Sequence, residues 1–346
     1  MKTEVLQINS PTECAAALAR AAAVLKKGGL VVFPTETVYG IGGIATSAEA
    51  AHAIYEAKGR PSDNPLIVHI ADPREAEQYA VTNDTYYRLA AQFMPGPLTI
   101  ILPKRNTVPD AVTGGLPTVA LRVPAHPVAA ALIRAVGEGI AAPSANLSGR
   151  PSPTTAAHVI GDLSGRVDMI IDGGECEVGL ESTIISLDGD VATLLRPGAI
   201  TADALACVCA EVKIASAVTE LPGENERPLS PGMKYRHYAP RAALTLLNGA
   251  ETEVTTYLKS LAGNKAVGIL CYDEEIPLLQ GAATLFPIGS RTDLETQAKR
   301  LFSLLREADN HPDCTMLFAH LPPREGLGLA LYNRLIRAAA HTIQNV

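Results

Sequence analysis

The sequence predicts an α/β protein in which a larger domain, built on a mixed sheet with helices on both faces, precedes a smaller α/β domain. Short apolar segments such as LIVHI at 66–70 alternate with segments of helical periodicity, which is typical of strands covered by helices on both faces. A cluster of strands between 168 and 195 indicates that part of the sheet is antiparallel. The 346 residues exceed one average domain, and the pattern weakens near residue 210 before a second alternation begins.

The elements of the larger domain follow from capping and periodicity. The first helix is predicted to begin at the capping box 10–13, where Pro11 occupies the first helical position, and to end at Gly28. The apolar strand at 30–33 then ends at Pro34. The same alternation predicts helices near 48–57, 84–93, 127–136 and 154–161, and strands at 66–70, 98–102, 118–123, 139–142, 168–172, 182–187 and 191–195.

The domain boundaries are predicted from composition. Residues 219–241 contain four prolines and little periodicity, so we expect a domain over 1–209, a linker or flap over 210–241 and a second domain over 242–346. The second domain reads as a small Rossmann-like unit, with strands at 243–247, 266–271 and 315–319 and helices at 250–261, 292–308 and 327–342.

Charge and cysteine usage exclude several classes of protein. With 29 Lys and Arg against 36 Asp and Glu, the net charge of −7 argues against a protein whose main role is to bind nucleic acid. The six cysteines are scattered without a zinc or thioredoxin spacing, which favours buried thiols in a reducing compartment. No apolar run approaches the ~20 residues of a membrane span, and we expect a cytoplasmic protein without a signal peptide.

The common nucleotide-binding motifs are missing. The sequence has no P-loop pattern, and the glycines at 40–43 lack the full dinucleotide fingerprint. PTETVYG at 34–40 follows a buried strand, where open α/β sheets bind ligands; a purely structural turn is the alternative. APSANLSG at 142–149 similarly runs from a strand into a small, polar turn, whose N–H groups and side chains suit anionic oxygens.

Cations stand at three further places. Lys58 and Arg60 precede a proline-rich loop that suits phosphate or carboxylate oxygens, although they could simply complement a helix C-terminus. Arg122 lies within a strand and needs a partner if buried, either a ligand anion or an internal Asp or Glu. Residues 227–241 carry four Lys or Arg, a histidine and two tyrosines without an acid, which suggests a flap over an anionic ligand; an ordinary tether is the alternative.

These motifs together resemble the YrdC-type threonylcarbamoyl-AMP synthases. The pairs Lys58-x-Arg60 and Ser144-x-Asn146 match the signature of that family, and PTETVYG, KGRPSDNPLIVHI, MPGPLTIIL, TVALRVP and APSANLSG occur in its order. SPGMKYRHYAP and GLGLALYNRLIRAA resemble the long, two-domain branch. The resemblance implies a YrdC-like twisted mixed sheet and a smaller Rossmann-like C-terminal domain.

The implied activity is that of a nucleotidyltransferase. Such an enzyme joins L-threonine, bicarbonate (or CO2) and ATP into L-threonylcarbamoyladenylate and releases pyrophosphate; a separate transferase complex then completes threonylcarbamoyladenosine on tRNA. A carbamate oxygen attacking the α-phosphorus needs positioning and charge neutralisation more than a covalent nucleophile. The resemblance also implies Mg²⁺ carried with ATP, no protein metal site, no membrane association, and leaves room for a weak contact with tRNA.

The resemblance assigns roles residue by residue. For threonine it implies Thr35, His69, Arg122, Ala142 and Ser182, with Arg122 on the carboxylate; without it, His69 reads as a hydrogen-bonded core histidine. For ATP it implies Lys58, Arg60, Ser62, Thr118, Ser144, Asn146, Ser152, Arg196, Tyr235, Arg236 and His237, of which Lys58, Arg60, Ser144 and Asn146 are also expected to be catalytic.

Two other classes of function compete with this one. A direct RNA-binding protein is disfavoured by the net charge. A carbamoyl-transfer domain like those of hydrogenase-maturation proteins would be accompanied by zinc-finger modules, and the chain lacks the cysteine pairs that build them.

Overall fold

A computed structural model describes residues 2–8, 10–12, 14–220, 237–279, 281 and 283–346. The chain divides into two compact units, one of Met1–Ser148 with Ser152–Lys234 and the other of Gly149–Pro151 with Tyr235–Val346. The expected capping box of the first helix includes Glu13, which lies outside the described residues. Within the described ranges, no helix is long and apolar enough to cross a membrane.

Helices of the first unit begin and end where capping chemistry allows. The hydroxyl of Ser47 accepts from the amide of Ala50, and Gly59 adopts the left-handed conformation that ends the same helix. The first helix begins at Ala15 rather than at Pro11. The helices are α1 (Ala15–Lys26), α2 (Ala48–Lys58), α3 (Asp84–Phe93), α4 (Asp110–Thr113), α5 (Pro127–Val136), α6 (Ala156–Leu163) and α7 (Ala202–Ala206), with 3-10 turns at Pro73–Gln78 and Ser216–Val218.

In the part of the chain that the structure describes, one mixed sheet of 11 strands forms the first unit. Its strands are β1 (Glu4–Gln7), β2 (Val31–Phe33), β3 (Gly40–Ile44), β4 (Ile67–His69), β5 (Leu98–Pro103), β6 (Thr118–Arg122), β7 (Ile140–Ala142), β8 (Met169–Asp172), β9 (Thr183–Asp188), β10 (Val191–Arg196) and β11 (Glu211–Ile214). Their order is β1-β8-β2-β3-β7-β4-β6-β5-β9-β10-β11. Parallel pairs such as β4 with β6 stand beside antiparallel pairs such as β9 with β10, which confirms the mixed sheet.

Two strands lie where other structure was expected. The Gly-rich stretch at 40–44 forms β3, antiparallel to β2. Glycine is needed at position 42 because the sheet packs tightly there: a methyl group on Gly42 would stand 2.6 Å from Cγ2 of Ile140. β11 pairs in parallel with β10. Residues 211–214 therefore belong to the sheet rather than to a linker, and the first unit continues past residue 209.

Helices cover both faces of this sheet. Ile44 packs into a buried cluster with Leu18 and Leu25 of α1 and Leu132 of α5. The neighbouring Gly43 points to the opposite face, as successive residues of a strand do, and a methyl group there would meet Ala50 of α2. This arrangement confirms the covered sheet predicted from the apolar strands.

The second unit is a smaller α/β domain with a wholly parallel sheet. The strands β12 (Ala243–Asn248), β13 (Val267–Tyr272), β14 (Thr284–Gly289), β15 (Met316–His320) and β16 (Ile343–Asn345) lie in the order β14-β13-β15-β12-β16. The helices are α8 (Glu251–Ser260), α9 (Leu294–Ala308) and α10 (Gly326–Ala338), with a 3-10 turn at Asp273–Leu278. Sequence reasoning missed β14 and β16 and extended the last helix by four residues.

Candidate active site

The loop after β2 is held by the hydroxyl of Thr35. That oxygen lies 2.6 Å from the carbonyl of Val38 and accepts from the amides of Thr37 and Val38, both at 3.2 Å. Thr35 is 2% exposed. Because the side chain closes the turn on its own backbone, it fixes the path of the chain at the carboxyl end of a strand, where α/β sheets bind ligands.

Arg122 ends β6 and forms a buried ion pair with Glu36 of this loop. Nη2 of Arg122 lies 2.7 Å from Oε1 of Glu36, and the two side chains are 4% and 7% exposed. Nε of Arg122 donates to the carbonyl of Gly96 at 3.3 Å. The partner that the sequence left open for Arg122 is therefore an internal carboxylate, which satisfies the requirement that a buried charge be paired.

His69 lies beside Arg122 because β4 and β6 pair in parallel with these two residues in register. Its Nδ1 is 3.1 Å from the carbonyl of Ile67. Burial, and secondly the positive charge of Arg122, lower the pKa of His69 to about 3. The imidazole is therefore neutral at physiological pH. Ala142, the fourth residue predicted for threonine, pairs with Ile67 across β4 and β7.

This low pKa predicts a pH dependence of stability. Because the folded state resists protonation of His69 while the unfolded chain takes up a proton near pH 6.5, stability should fall as the pH is lowered from about 6.5 toward 3. Urea unfolding between pH 7 and 5 should show a steeper loss for the wild type than for His69→Gln. The matched control is His52→Gln, an exposed histidine. Equal slopes for the wild type and His69→Gln would contradict the prediction.

Lys58 joins the end of α2 to the turn after β7. Its Nζ donates to the carbonyls of Ser144 and Asn146, the latter at 2.5 Å, and Oγ of Ser144 donates to Oδ1 of Asn146 at 2.6 Å. Gly40 forms an isolated bridge with Ser144. The structure thus brings together three of the four residues predicted to be catalytic, with an ammonium group only 2% exposed at their centre.

Arg60, Ser62 and Thr118 lie at the loop that follows α2. Arg60 donates through Nη2 to the carbonyls of Asn64 and Pro65, both at 3.1 Å. Since Ala120 of β6 pairs with Ile67 of β4, Thr118 stands level with Pro65. Ser62 is exposed.

Ser182 and Arg196 contact each other, although the resemblance assigned them to different substrates. Arg196 donates through Nε to the carbonyl of Ser182 at 3.0 Å and through Nη2 to its hydroxyl at 3.1 Å. The Ser182 hydroxyl also lies 2.7 Å from that of Thr99, and Ser152 donates to the neighbouring carboxylate of Glu181. Ser182, predicted for threonine, and Arg196, predicted for ATP, therefore meet just before β9.

The flap predicted over 210–241 is described at 210–220 and 237–241. Tyr235 and Arg236 lie outside the described residues, and His237 belongs to the second unit, where its ring lies 5.5 Å from that of Tyr238. Their assignment to ATP stays a prediction.

Sequence reasoning missed Glu36 and Glu181. Both are buried acids, at 5% and 6% exposure. Glu36 stands inside the PTETVYG motif, and a carboxylate directly after a buried strand is a signal that a cation must lie nearby. Sequence alone could not say which of the candidate cations it meets.

The site is locally cationic in a chain of net charge −7. Lys58, Arg122 and Arg196 are buried at 2%, 4% and 7% exposure, while among the described residues no group of three His, Cys, Asp or Glu could hold a metal ion. Buried ammonium and guanidinium groups beside hydroxyls and backbone amides suit phosphate and carboxylate groups.

Comparison with known proteins agrees with this chemistry. Residues 23–198 match a family model described as Sua5_yciO_yrdC, telomere recombination, and residues 200–340 match the threonylcarbamoyl-AMP synthase C-terminal domain. The chain is 44% identical over 340 residues to the threonylcarbamoyl-AMP synthase of Bacillus subtilis, covering 97% of this chain and 95% of that protein. It is 42% identical over 335 residues to that of Pyrococcus abyssi, covering 94% and 95%.

Comparison with solved structures points to the same family. The crystal structure of P. abyssi Sua5 complexed with L-threonine superposes with a TM-score of 0.89 at 39% identity and covers 100% of both chains. The resemblance seen in the motifs, and the two-domain fold that it implied, are thereby confirmed. The chain belongs to the threonylcarbamoyl-AMP synthase family, whose members form L-threonylcarbamoyladenylate from L-threonine, bicarbonate and ATP for the modification of tRNA.

Proposed function

We propose that the first unit of this chain binds both substrates with the residues that the motifs single out. Thr35, His69, Arg122, Ala142 and Ser182 form the threonine pocket. Lys58, Arg60, Ser62, Thr118, Ser144, Asn146, Ser152 and Arg196 hold ATP; the resemblance also assigns Tyr235, Arg236 and His237 to ATP. The observation that carries the proposal is that Lys58, Arg122 and Arg196, which the resemblance assigns to the substrates, are buried cations, each 7% exposed or less.

The arrangement suits adenylation without a covalent enzyme intermediate. The amine of threonine forms a carbamate with CO2, and a carbamate oxygen attacks the α-phosphorus as pyrophosphate leaves. Negative charge builds on the phosphate oxygens during that step, and cations already fixed by backbone carbonyls, as Lys58 is, stabilise it without reorganisation. Neutral His69 adds no charge to the pocket.

Mg²⁺ enters the site with ATP in this proposal. The described residues offer cations and hydroxyls rather than a carboxylate cage, which fits an ion held by the triphosphate and water. Bound in that way, the ion would neutralise charge on the leaving pyrophosphate. Chelation by EDTA should therefore abolish turnover while leaving threonine binding intact, as isothermal calorimetry would measure.

The product is an unstable mixed anhydride, so we place the enzyme in the cytoplasm beside the transferase complex that consumes it on tRNA. Pulldown of the purified protein with the components of that complex would test the contact, and filter binding with tRNA over a salt series would measure any direct affinity.

The activity is tested with purified protein, ATP, Mg²⁺, L-threonine and labelled bicarbonate. Pyrophosphate release should require threonine and bicarbonate together, and the label should appear in an adenylate. L-serine, which lacks one methyl group, should react more slowly, by about 10-fold or more for a lost methyl contact. Release of pyrophosphate without threonine, or intact ATP in the complete mixture, would contradict the proposal.

A further inference from the structure

Glu36 has a carboxylate oxygen that its ion pair with Arg122 does not use. The side chain is 5% exposed, and Oε1 is the oxygen that Arg122 contacts at 2.7 Å. The other oxygen, Oε2, is buried and accepts no hydrogen bond from any described residue. The backbone carbonyl of Glu36 accepts from the amide of Val178. The residue is therefore fixed at its main chain by Val178 and at its carboxylate by Arg122.

A buried carboxylate oxygen without a donor is unfavourable. An ionised carboxylate has acceptor sites on both oxygens, and leaving one of them unsatisfied away from water costs the desolvation free energy of that oxygen with no hydrogen bond in return. The great majority of buried polar atoms in folded proteins therefore have a partner. A donor supplied by a bound molecule would satisfy Oε2.

Arg122 leaves a complementary group unused. Its guanidinium has five N–H donors, and its contacts with described residues run from Nε to Gly96 and from Nη2 to Glu36. Nη1 makes no hydrogen bond to a described residue. The pair therefore offers a positive donor and a negative acceptor side by side, next to Thr35 in sequence and to His69 in register.

An α-amino acid carries the matching pair of charges. Its carboxylate and ammonium groups are both attached to the α-carbon, so a ligand whose carboxylate binds Nη1 of Arg122 brings its nitrogen toward the carboxylate of Glu36. Charge-assisted hydrogen bonds of this kind are about twice as strong as neutral ones. An ammonium group bound there would also give Oε2 of Glu36 the donor that it lacks among the described residues.

We infer that Glu36 binds the α-ammonium group of L-threonine through Oε2 while Arg122 binds its carboxylate. The inference rests on the threonine pocket proposed above and adds to it a residue beside the nitrogen that becomes the carbamate. Glu36 then selects L-threonine over the corresponding α-hydroxy acid, which has the same carboxylate and β-hydroxyl but no ammonium group.

Two ligands distinguish binding of the ammonium group by Glu36 from a role in which Glu36 acts only through Arg122. Isothermal calorimetry without ATP measures the Kd of L-threonine and of the 2,3-dihydroxybutanoate of matching configuration, in which a hydroxyl replaces the amine. The wild type should prefer threonine. In Glu36→Gln the Kd of threonine should rise by about 10- to 100-fold, as expected for a lost hydrogen bond to a charged group, while the Kd of the hydroxy acid changes by no more than about two-fold.

Control variants keep each outcome decisive. Glu36→Asp retains the charge and should keep the preference for threonine. Glu275→Gln changes an equally buried acid of the second unit, at 1% exposure, and should leave both Kd values unchanged; thermal unfolding checks that every variant is folded.

The possible failures differ from one another. If Glu36→Gln weakens both ligands equally, Glu36 acts only through Arg122 and the inference is wrong. If Glu36→Gln leaves both Kd values unchanged, a water molecule satisfies Oε2 and the inference is again wrong, while the pocket stands. A wild type that does not bind threonine at all overturns the proposed pocket itself.

Discussion

Replacing Lys58 by methionine is expected to lower kcat/KM for ATP by about 100- to 1,000-fold, the range found when one preorganised group that stabilises transition-state charge is removed. Methionine keeps the apolar stem of the side chain and removes the ammonium group that holds the carbonyls of Ser144 and Asn146. Pyrophosphate release at varied ATP concentration measures the effect.

Two further variants test whether charge is the cause. Lys58→Arg retains a cation and should recover part of the activity, although its planar group cannot reproduce the contacts of the ammonium. Lys26→Met removes an exposed lysine from the last turn of α1 and should have wild-type kinetics. Activity of Lys58→Met within about three-fold of the wild type would exclude a role for this lysine in charge stabilisation.

Removing Arg122 alone is expected to lower the free energy of unfolding of the first unit by about 3–5 kcal/mol, because it leaves the carboxylate of Glu36 buried without its cation. Arg122→Met combined with Glu36→Gln should be less destabilised than Arg122→Met, since the double variant buries no unpaired charge. The two residues are coupled by an ion pair in which Nη2 of Arg122 lies 2.7 Å from Oε1 of Glu36, and their side chains are 4% and 7% exposed.

Hydrogen exchange of peptides that span β6 is the appropriate measurement, because a chain of two units need not unfold in one transition. The two single variants and the double variant form a cycle whose coupling energy isolates the pair. A double variant as unstable as Arg122→Met, or more so, would show that Glu36 is stabilised by its surroundings without Arg122.

Periodicity and capping predicted most elements of the first unit. α3 and α5 occur at the predicted residues, because a wide apolar stripe and a capping side chain specify a helix locally. β3 was missed because its five residues include three glycines, which alone indicate a turn. The glycine at position 42 is required since Phe33 and Ile140 leave no space there for a larger side chain, and that crowding is set by other strands.

In the second unit, too, the elements that sequence reasoning missed depend on their place in the sheet. β14 contains Pro287 and pairs with β13 along one edge of the sheet, where a strand can contain a proline because one side of its backbone needs no partner. The end of α10 was misplaced because the residues after Ala338 are still helix formers; Ala340 and His341 instead adopt positive φ and turn the chain toward β16.

The sequence by itself determined the class of chemistry. Motifs at 34–40, 58–65 and 142–149 identify the family because each places cations, hydroxyls or small residues directly after a strand or helix, and such local order can be read without a fold. It also determined that Arg122 needs a counter-charge, since a cation inside an apolar strand cannot be buried alone.

Only the tertiary structure decided which residues meet. It paired Arg122 with Glu36, set His69 beside that charge, and joined Ser182 to Arg196. The reason is that these contacts depend on strand order and register, which a sheet of mixed direction fixes through long-range hydrogen bonds rather than through local preference.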